Sequence, residues 1–319
     1  MTVKTTLSSV FNLSHSPTDI AGEATVDGVR TLTSRPIEVP GKFSSLFLSV
    51  NATIEAEDYL LLEAQVRVQD KWSPYYKLGM LSEHLKTSFP PQQDSFGCVN
   101  IDELVLSIPA QAYRFRIQLT GTANVTQVYS CGVKDPFVYD GKTADRLPRK
   151  NFLQEVNPIS QMEQKSPERR RICSPTSLCM ALQKLGQEVS LPHVMAEVHD
   201  GFANVYGNWL FNVFHAGTYP GIEAYARRFS RLEELKDFVT DQSCVLASIA
   251  FEENELPGAA LAHTTGHLVL IQGWQKNQIL VADPAAPNAD SVCRAYGKTE
   301  FARAWLERKR GISYIVRKK

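Results

Sequence analysis

The chain has 319 residues, with 34 Lys and Arg against 34 Asp and Glu, so its formal net charge is zero. Its length accommodates two domains, and hydrophobic and charged fractions of 43% and 21% are those of an ordinary globular protein. Zero net charge removes the global signature of a nucleic-acid or anionic-membrane binder, so neither partner is expected.

No run approaches the length needed to span a bilayer. The opening MTVKTTLSSVFNLSHSP lacks the apolar core of a secretory signal. The expected location is the cytoplasm, or outside the cell for a chain already trimmed of its export signal. Six cysteines, at 98, 131, 173, 179, 244 and 293, form no CxxC pair and no zinc-ligand spacing, a sparse usage that fits a reducing compartment.

Residues 1–145 read as an all-β unit. Leu46, Leu48 and Val50 alternate with polar residues, as do Leu60, Leu62, Ala64, Val66 and Val68. Leu104, Leu106 and Ile108 repeat the pattern, then Tyr113, Phe115, Ile117 and Leu119. Several short period-two segments split by Pro, Gly, Asp and Asn predict a β-sandwich. Trp72, Tyr75 and Tyr76 offer a platform for a glycan or peptide ligand; the competing reading is that they pack the core and an edge. Asn12, Asn51 and Asn124 open N-x-S/T triplets, which carry weight only in a secreted chain.

From Val133 to Lys150, charges, Gly and Pro replace alternation and mark a linker. A second unit, 151–319, mixes helices and strands. Cys173 stands at the start of a helix that runs through Leu178, Ala181, Leu182 and Leu185 and stops at Gly186. Ser190–His199 is a second short helix with Pro192 in its first turn, and Asn208 caps a third. Ser230 and Glu233 predict a capping box for a fourth helix. Apolar strands are expected at 243–251, 267–273 and 278–282, then a helix over 300–310 with Phe301 and Trp305 on one face, and a closing strand ISYIV. This order is α+β, with an antiparallel sheet.

A helix N-terminus favours a thiolate, and three arginines precede Cys173, so that cysteine has the setting of a nucleophile. A hairpin centred near Gln275 sets residue 267 roughly opposite 283, bringing an imidazole and a carboxylate to one face. That register is sensitive to a slip of a residue or two, and Asp283 before Pro284 is equally a turn residue. His263 and His267 frame HTTGH, which lacks the glutamate and the helical character of a zinc-protease motif. Neither a metal nor a cofactor is expected.

From about residue 155 to the end, the chain resembles the C39-like cysteine peptidases, a branch of the papain-like fold. The matching text is ISQ at 159–161, CSPTSLCMAL at 173–182, GNW at 207–209, GHLVLIQGW at 266–274 and ADPAA at 282–286. The β unit more loosely resembles a domain that precedes this peptidase in bacterial relatives. The resemblance implies Cys173 as nucleophile, His267 as base, Asp283 as orienter, and Gln161 as the side-chain donor to the oxyanion. The expected activity is hydrolysis of a peptide or related amide through a thioester. Acyl transfer through the same thioester, and a non-catalytic glycan- or peptide-binding protein, stay open as alternatives.

Overall fold

The computed structural model describes residues 8–319 apart from 17, 18 and 56. The first seven residues of the opening read above for an export signal lie outside the described residues. Among the described residues, no helix is long and apolar enough to cross a membrane.

The first eleven strands are β1 (Val10–His15), β2 (Ile20–Val26), β3 (Val29–Ser34), β4 (Ile37–Thr53), β5 (Tyr59–Val68), β6 (Lys71–Trp72), β7 (Tyr76–Ser82), β8 (Lys86–Thr87), β9 (Gly97–Asn100), β10 (Glu103–Leu119) and β11 (Asn124–Asp135). They join one antiparallel sheet with the main order β1-β11-β4-β10-β5-β7-β8. The sheet branches at β10, which carries β4 then β3 along one edge and β9 then β5 along the other. The alternation read for β5 understates its burial, since Leu60 to Ala64 are all buried. Glu63 lies among them and is satisfied by Arg116, at 2.6 and 2.9 Å, and by Gln118 at 3.0 Å.

The aromatic platform is occupied by its own sheet. The Arg114 guanidinium lies 4.2 Å from the Trp72 ring centre, and Arg116 lies 4.0 Å from that of Tyr75. Tyr76 is buried. Trp72 and Tyr75 stay partly exposed, each with a guanidinium over its ring.

After a short helix, α1 (Gly141–Ala144), come β12 (Phe152–Leu153), α2 (Cys173–Lys184), α3 (Leu191–Val198) and α4 (Trp209–Gly217). Then follow β13 (Ile222–Arg228), β14 (Ser243–Phe251), β15 (Thr264–Gln275), β16 (Gln278–Ala282), β17 (Cys293–Gly297), α5 (Lys298–Ala302) and β18 (Ile312–Lys318). The second sheet has the order β13-β18-β14-β15-β16-β17, with β12 added to β15, and is antiparallel throughout. Helix α2 lies against β15 and is buried on every side from Ser174 to Leu182, not along one stripe. A helix enclosed in this way sits at the centre of its unit.

Two expected helices differ. The segment after Ser230 is a 3₁₀ turn over Leu232–Asp237. The acid that caps it is Glu234, not Glu233, and it accepts from Ser230 and Arg231. Leu232 and Leu235 are both buried, and a three-residue repeat puts them on one face. The helix expected over 300–310 is α5 followed by a π turn at Arg303–Glu307. Trp305 packs between Phe301 and Phe229, with centroids 5.8 and 5.0 Å away, and the chain leaves helical geometry at Arg310 and Gly311, both at positive φ.

The two sheets are fastened by unusual means. β13 is an edge strand, and its free backbone groups are met by side chains of the first sheet. Asn12 exchanges two hydrogen bonds with Arg228, Asn51 two with Ala224, and Ser49 accepts from Ala226. Two of the three N-x-S/T asparagines are thus committed to this seam. Asp102 of the β9–β10 turn accepts from the N–H groups of Trp209 and Leu210, closing the start of α4 from another unit. Leu210, Phe211 and Phe214 of α4 belong to the hydrophobic core of the first sheet.

Candidate active site

Cys173 is the first residue of α2, and its N-cap, Ile172, has no side chain able to cap. The positive end of the helix is therefore left for the thiol itself. The next residue, Ser174, anchors the turn through Asn212 at 2.9 Å and Tyr314 at 3.0 Å. Ser177 donates to the Leu268 carbonyl at 3.1 Å, tying α2 to the strand that carries His267.

His267 Nε2 lies 2.7 Å from Asp283 Oδ1. Asp283 Oδ1 also accepts from the Ala285 N–H at 2.9 Å, and Oδ2 accepts from the Tyr296 hydroxyl at 2.6 Å. With Nε2 engaged, Nδ1 is the ring nitrogen left for the Cys173 thiol. His267 and Asp283 are only 3% and 1% exposed, whereas Cys173 is half-buried. The groups that tune the thiol are thus shielded from solvent.

The electrostatics match this layout. Burial pushes the Cys173 thiol up, but the hydrogen bond and charge of His267 outweigh it and leave the pKa below the ordinary thiol value. Burial pushes His267 down, and the Asp283 carboxylate with the Cys173 thiol more than reverses this, to about 10. Burial pushes Asp283 up, and His267, Tyr296 and Ala285 together hold it below the usual carboxylate range. By contrast, burial raises Cys131, Cys179 and Cys244 to about 12.

Gln161 opens a 3₁₀ turn capped by Ser160, and its N–H donates to the Pro284 carbonyl at 2.9 Å. The turn after Asp283 thus holds the Gln161 segment in place. The Gln161 Nε2 donates to the Arg169 carbonyl at 2.8 Å. Only an N–H can serve a carbonyl, so the amide orientation is set by that bond. Nε2 keeps a second hydrogen, and the buried Oε1 has no partner among the described residues.

The sequence reading gave Tyr296 and Tyr314 no role at the site. Tyr296 reaches Asp283 from a strand over, where it pairs with Ile279, and no local signal marks such a contact.

The profile of the Peptidase C39 like family matches residues 153–313, just over half of the chain. The chain is a member of that family. A Peptidase C39 N-terminal domain matches residues 15–134. No curated protein sequence matches the chain. Among solved structures, it is similar to a double glycine motif protease from an AMS/PCAT transporter, solved in complex with the leader peptide. Identity there is 20% and the TM-score 0.36, over 54% of this chain and 97% of the other. It is also similar to a C39-like peptidase described as putative from Bacillus anthracis, at 18% identity and a TM-score of 0.39, over 53% and 98% of the two chains.

Proposed function

We propose that this C39-like chain is a cysteine peptidase that hydrolyses a peptide amide through Cys173, His267 and Asp283. The observation that carries the reading is a thiol at the first residue of α2, held below its ordinary pKa by a buried imidazole that lies 2.7 Å from a buried carboxylate. The Cys173 thiolate adds to the carbonyl carbon. The oxyanion is met by the Cys173 N–H and the free hydrogen of Gln161 Nε2. His267, protonated on Nδ1, gives its proton to the leaving amine as the C–N bond breaks, which leaves a thioester. The neutral imidazole then takes a proton from water, hydroxide adds to the thioester, and the carboxylic acid departs as the thiolate is restored. Asp283 holds the ring and its positive charge throughout and takes no proton.

We read residues 1–145 as an accessory unit, a sandwich folded from one branched sheet, and 151–319 as the papain-like catalytic unit. Support comes from the two sheets and from the two family matches, which end at 134 and begin at 153.

Iodoacetamide at neutral pH, read by peptide mass spectrometry, tests the nucleophile. Cys173 should be labelled well ahead of Cys98 and Cys293, and should form an acyl adduct with an activated amide. Earlier labelling of Cys98 or Cys293 overturns the assignment. Water as the resolving nucleophile is tested by the product in the presence of added amine: an amide product in place of the free acid would mark acyl transfer.

A further inference from the structure

A cavity of 610 Å³ lies on the seam between the two sheets. One wall comes from the first sheet, through Ser45, Phe47 and Glu103, and the other from Trp209, Arg228 and the turn 308–310. Cys173, His267, Asp283 and Gln161 are not among its lining residues, and two chains of contacts lead from its walls towards them. Lys309 Nζ donates to the Thr265 carbonyl at 3.3 Å, two residues before His267. Trp209 packs on Tyr314 with ring centroids 4.2 Å apart, and the Tyr314 hydroxyl is 3.0 Å from Ser174, the neighbour of Cys173.

Its charge is one-sided. Arg228, Arg308, Lys309 and Arg310 line it, against Glu103 and Asp135. Arg228 is taken by Glu103 at 2.7 Å, and Arg308 by Glu255 at 2.6 Å. Neither Lys309 nor Arg310 is ion-paired among the described residues. Arg310 rests on the Phe137 ring, 5.4 Å from its centre. Two polar atoms of the lining residues, Arg228 Nε and Ser45 Oγ, are buried without a hydrogen-bond partner among the described residues, in side chains 3% exposed. Burial lowers the Lys309 pKa, a cost that an incoming anion would offset.

We propose that this cavity is a substrate subsite shared by the two units, which binds a carboxylate side chain close to the scissile bond through Lys309 and Arg310. The proposal rests on the peptidase reading above and adds a substrate class to it, an acidic peptide. It also gives the first sheet a role in recognition, because half of the wall is its own.

Matched pairs of short peptidyl vinyl sulfones, with Glu or Gln at each position flanking the electrophile, test this on the full chain. At least one Glu probe should label Cys173 about tenfold faster than its Gln twin, the size of one charge-assisted hydrogen bond. In a Lys309→Gln/Arg310→Gln protein that preference should vanish, while the iodoacetamide rate at Cys173 stays at the wild-type level. Arg310→Gln alone, at an exposed position, should already reduce the preference, so the test survives poor folding of the double variant. Absence of any Glu preference, or a preference that survives both variants, overturns the subsite even if Cys173 alkylates normally. Cys173 inert to iodoacetamide and to every probe overturns the catalytic reading beneath it.

Discussion

His267 and Asp283 meet at 2.7 Å although they are not opposite one another in the hairpin that carries them. Near the turn, Gln275 pairs with Gln278 and Gly273 with Leu280. That register, continued, would set Asp283 opposite Leu270, an odd number of residues from His267 and hence on the other face. A bulge at Gln272 shifts the pairing by one, so Ile271 meets Val281 and Leu270 meets Ala282. Continued from there, Asp283 falls opposite Val269, two residues from His267 and on its face. One extra residue restores the parity on which the pair depends.

The bulge should therefore be as sensitive as the pair itself. A Cβ on Gly273 would run into the Phe152 carbonyl of β12, which pairs across it. Gly273→Ala should cost about 1–3 kcal/mol in urea unfolding, the usual scale of overpacking. It should also slow alkylation of Cys173, since a shifted register moves Asp283 away from His267. Loss of stability with an unchanged alkylation rate would separate the bulge from the site.

The catalytic roles separate by comparing alkylation with turnover. Cys173→Ala should abolish covalent chemistry. Asp283→Asn should be milder than His267→Ala, because Asp283 orients without taking the proton. Gln161→Ala should leave alkylation nearly unchanged, since alkylation forms no oxyanion, yet slow amide turnover by about 10²–10³. Equal damage to both rates would make Gln161 a prop for the Arg169 turn and no oxyanion donor.

Tyr296→Phe removes one donor from a buried carboxylate and leaves the ring in place. A lost hydrogen bond to a charged group is worth about 1.5–3 kcal/mol. The Asp283 pKa should rise, so the carboxylate charge that sustains the thiolate–imidazolium pair should be lost at a higher pH on the acid side. The measurement is the pH profile of Cys173 alkylation beside urea unfolding. Lost stability with an unchanged pH profile would reduce Tyr296 to packing.

The pH dependence has a defined sense. The pair requires a deprotonated thiol and a protonated ring, so it persists from the lowered Cys173 pKa up to about 10, where His267 loses its proton. The stability linked to His267 is fully present below an ordinary imidazole pKa of 6.5 and is lost as pH rises through about 10. Alkylation of the wild type should be flat across neutrality. In His267→Ala it should be slow there and recover towards an ordinary thiol pKa of about 8.5. A wild-type profile already rising through that value would mean that no ion pair forms.

The seam between the units yields a further expectation. The charged 133–150 segment suggests that residues from Asn151 onward would stand alone. Such a fragment would bare Leu210, Phe211 and Phe214, and would leave the β13 backbone without Asn12, Ser49 and Asn51. It should be insoluble or aggregate when expressed. In the full chain, Asn51→Ala leaves two buried backbone groups of Ala224 unmet and should cost about 1–3 kcal/mol for each. A soluble fragment that still alkylates at Cys173 would show the first sheet to be dispensable.

Cys173, Asn208 and Gly186 are legible in the sequence because helix starts and stops are written in adjacent residues, and chemistry places caps and glycines there. Strands β4, β5, β10, β14, β15, β16 and β18 are legible as alternating or continuous apolar runs, whereas β1, β2, β3, β11, β13 and β17 are not. The approach of His267 to Asp283 could be read only as far as a hairpin with a guessed centre; its true register depends on a bulge held by β12, more than a hundred residues upstream. Tyr296, the seam asparagines and the cavity beside Lys309 have no local signature at all. Each is a contact between segments far apart in the chain, with partners that only the packed tertiary structure brings within bonding distance.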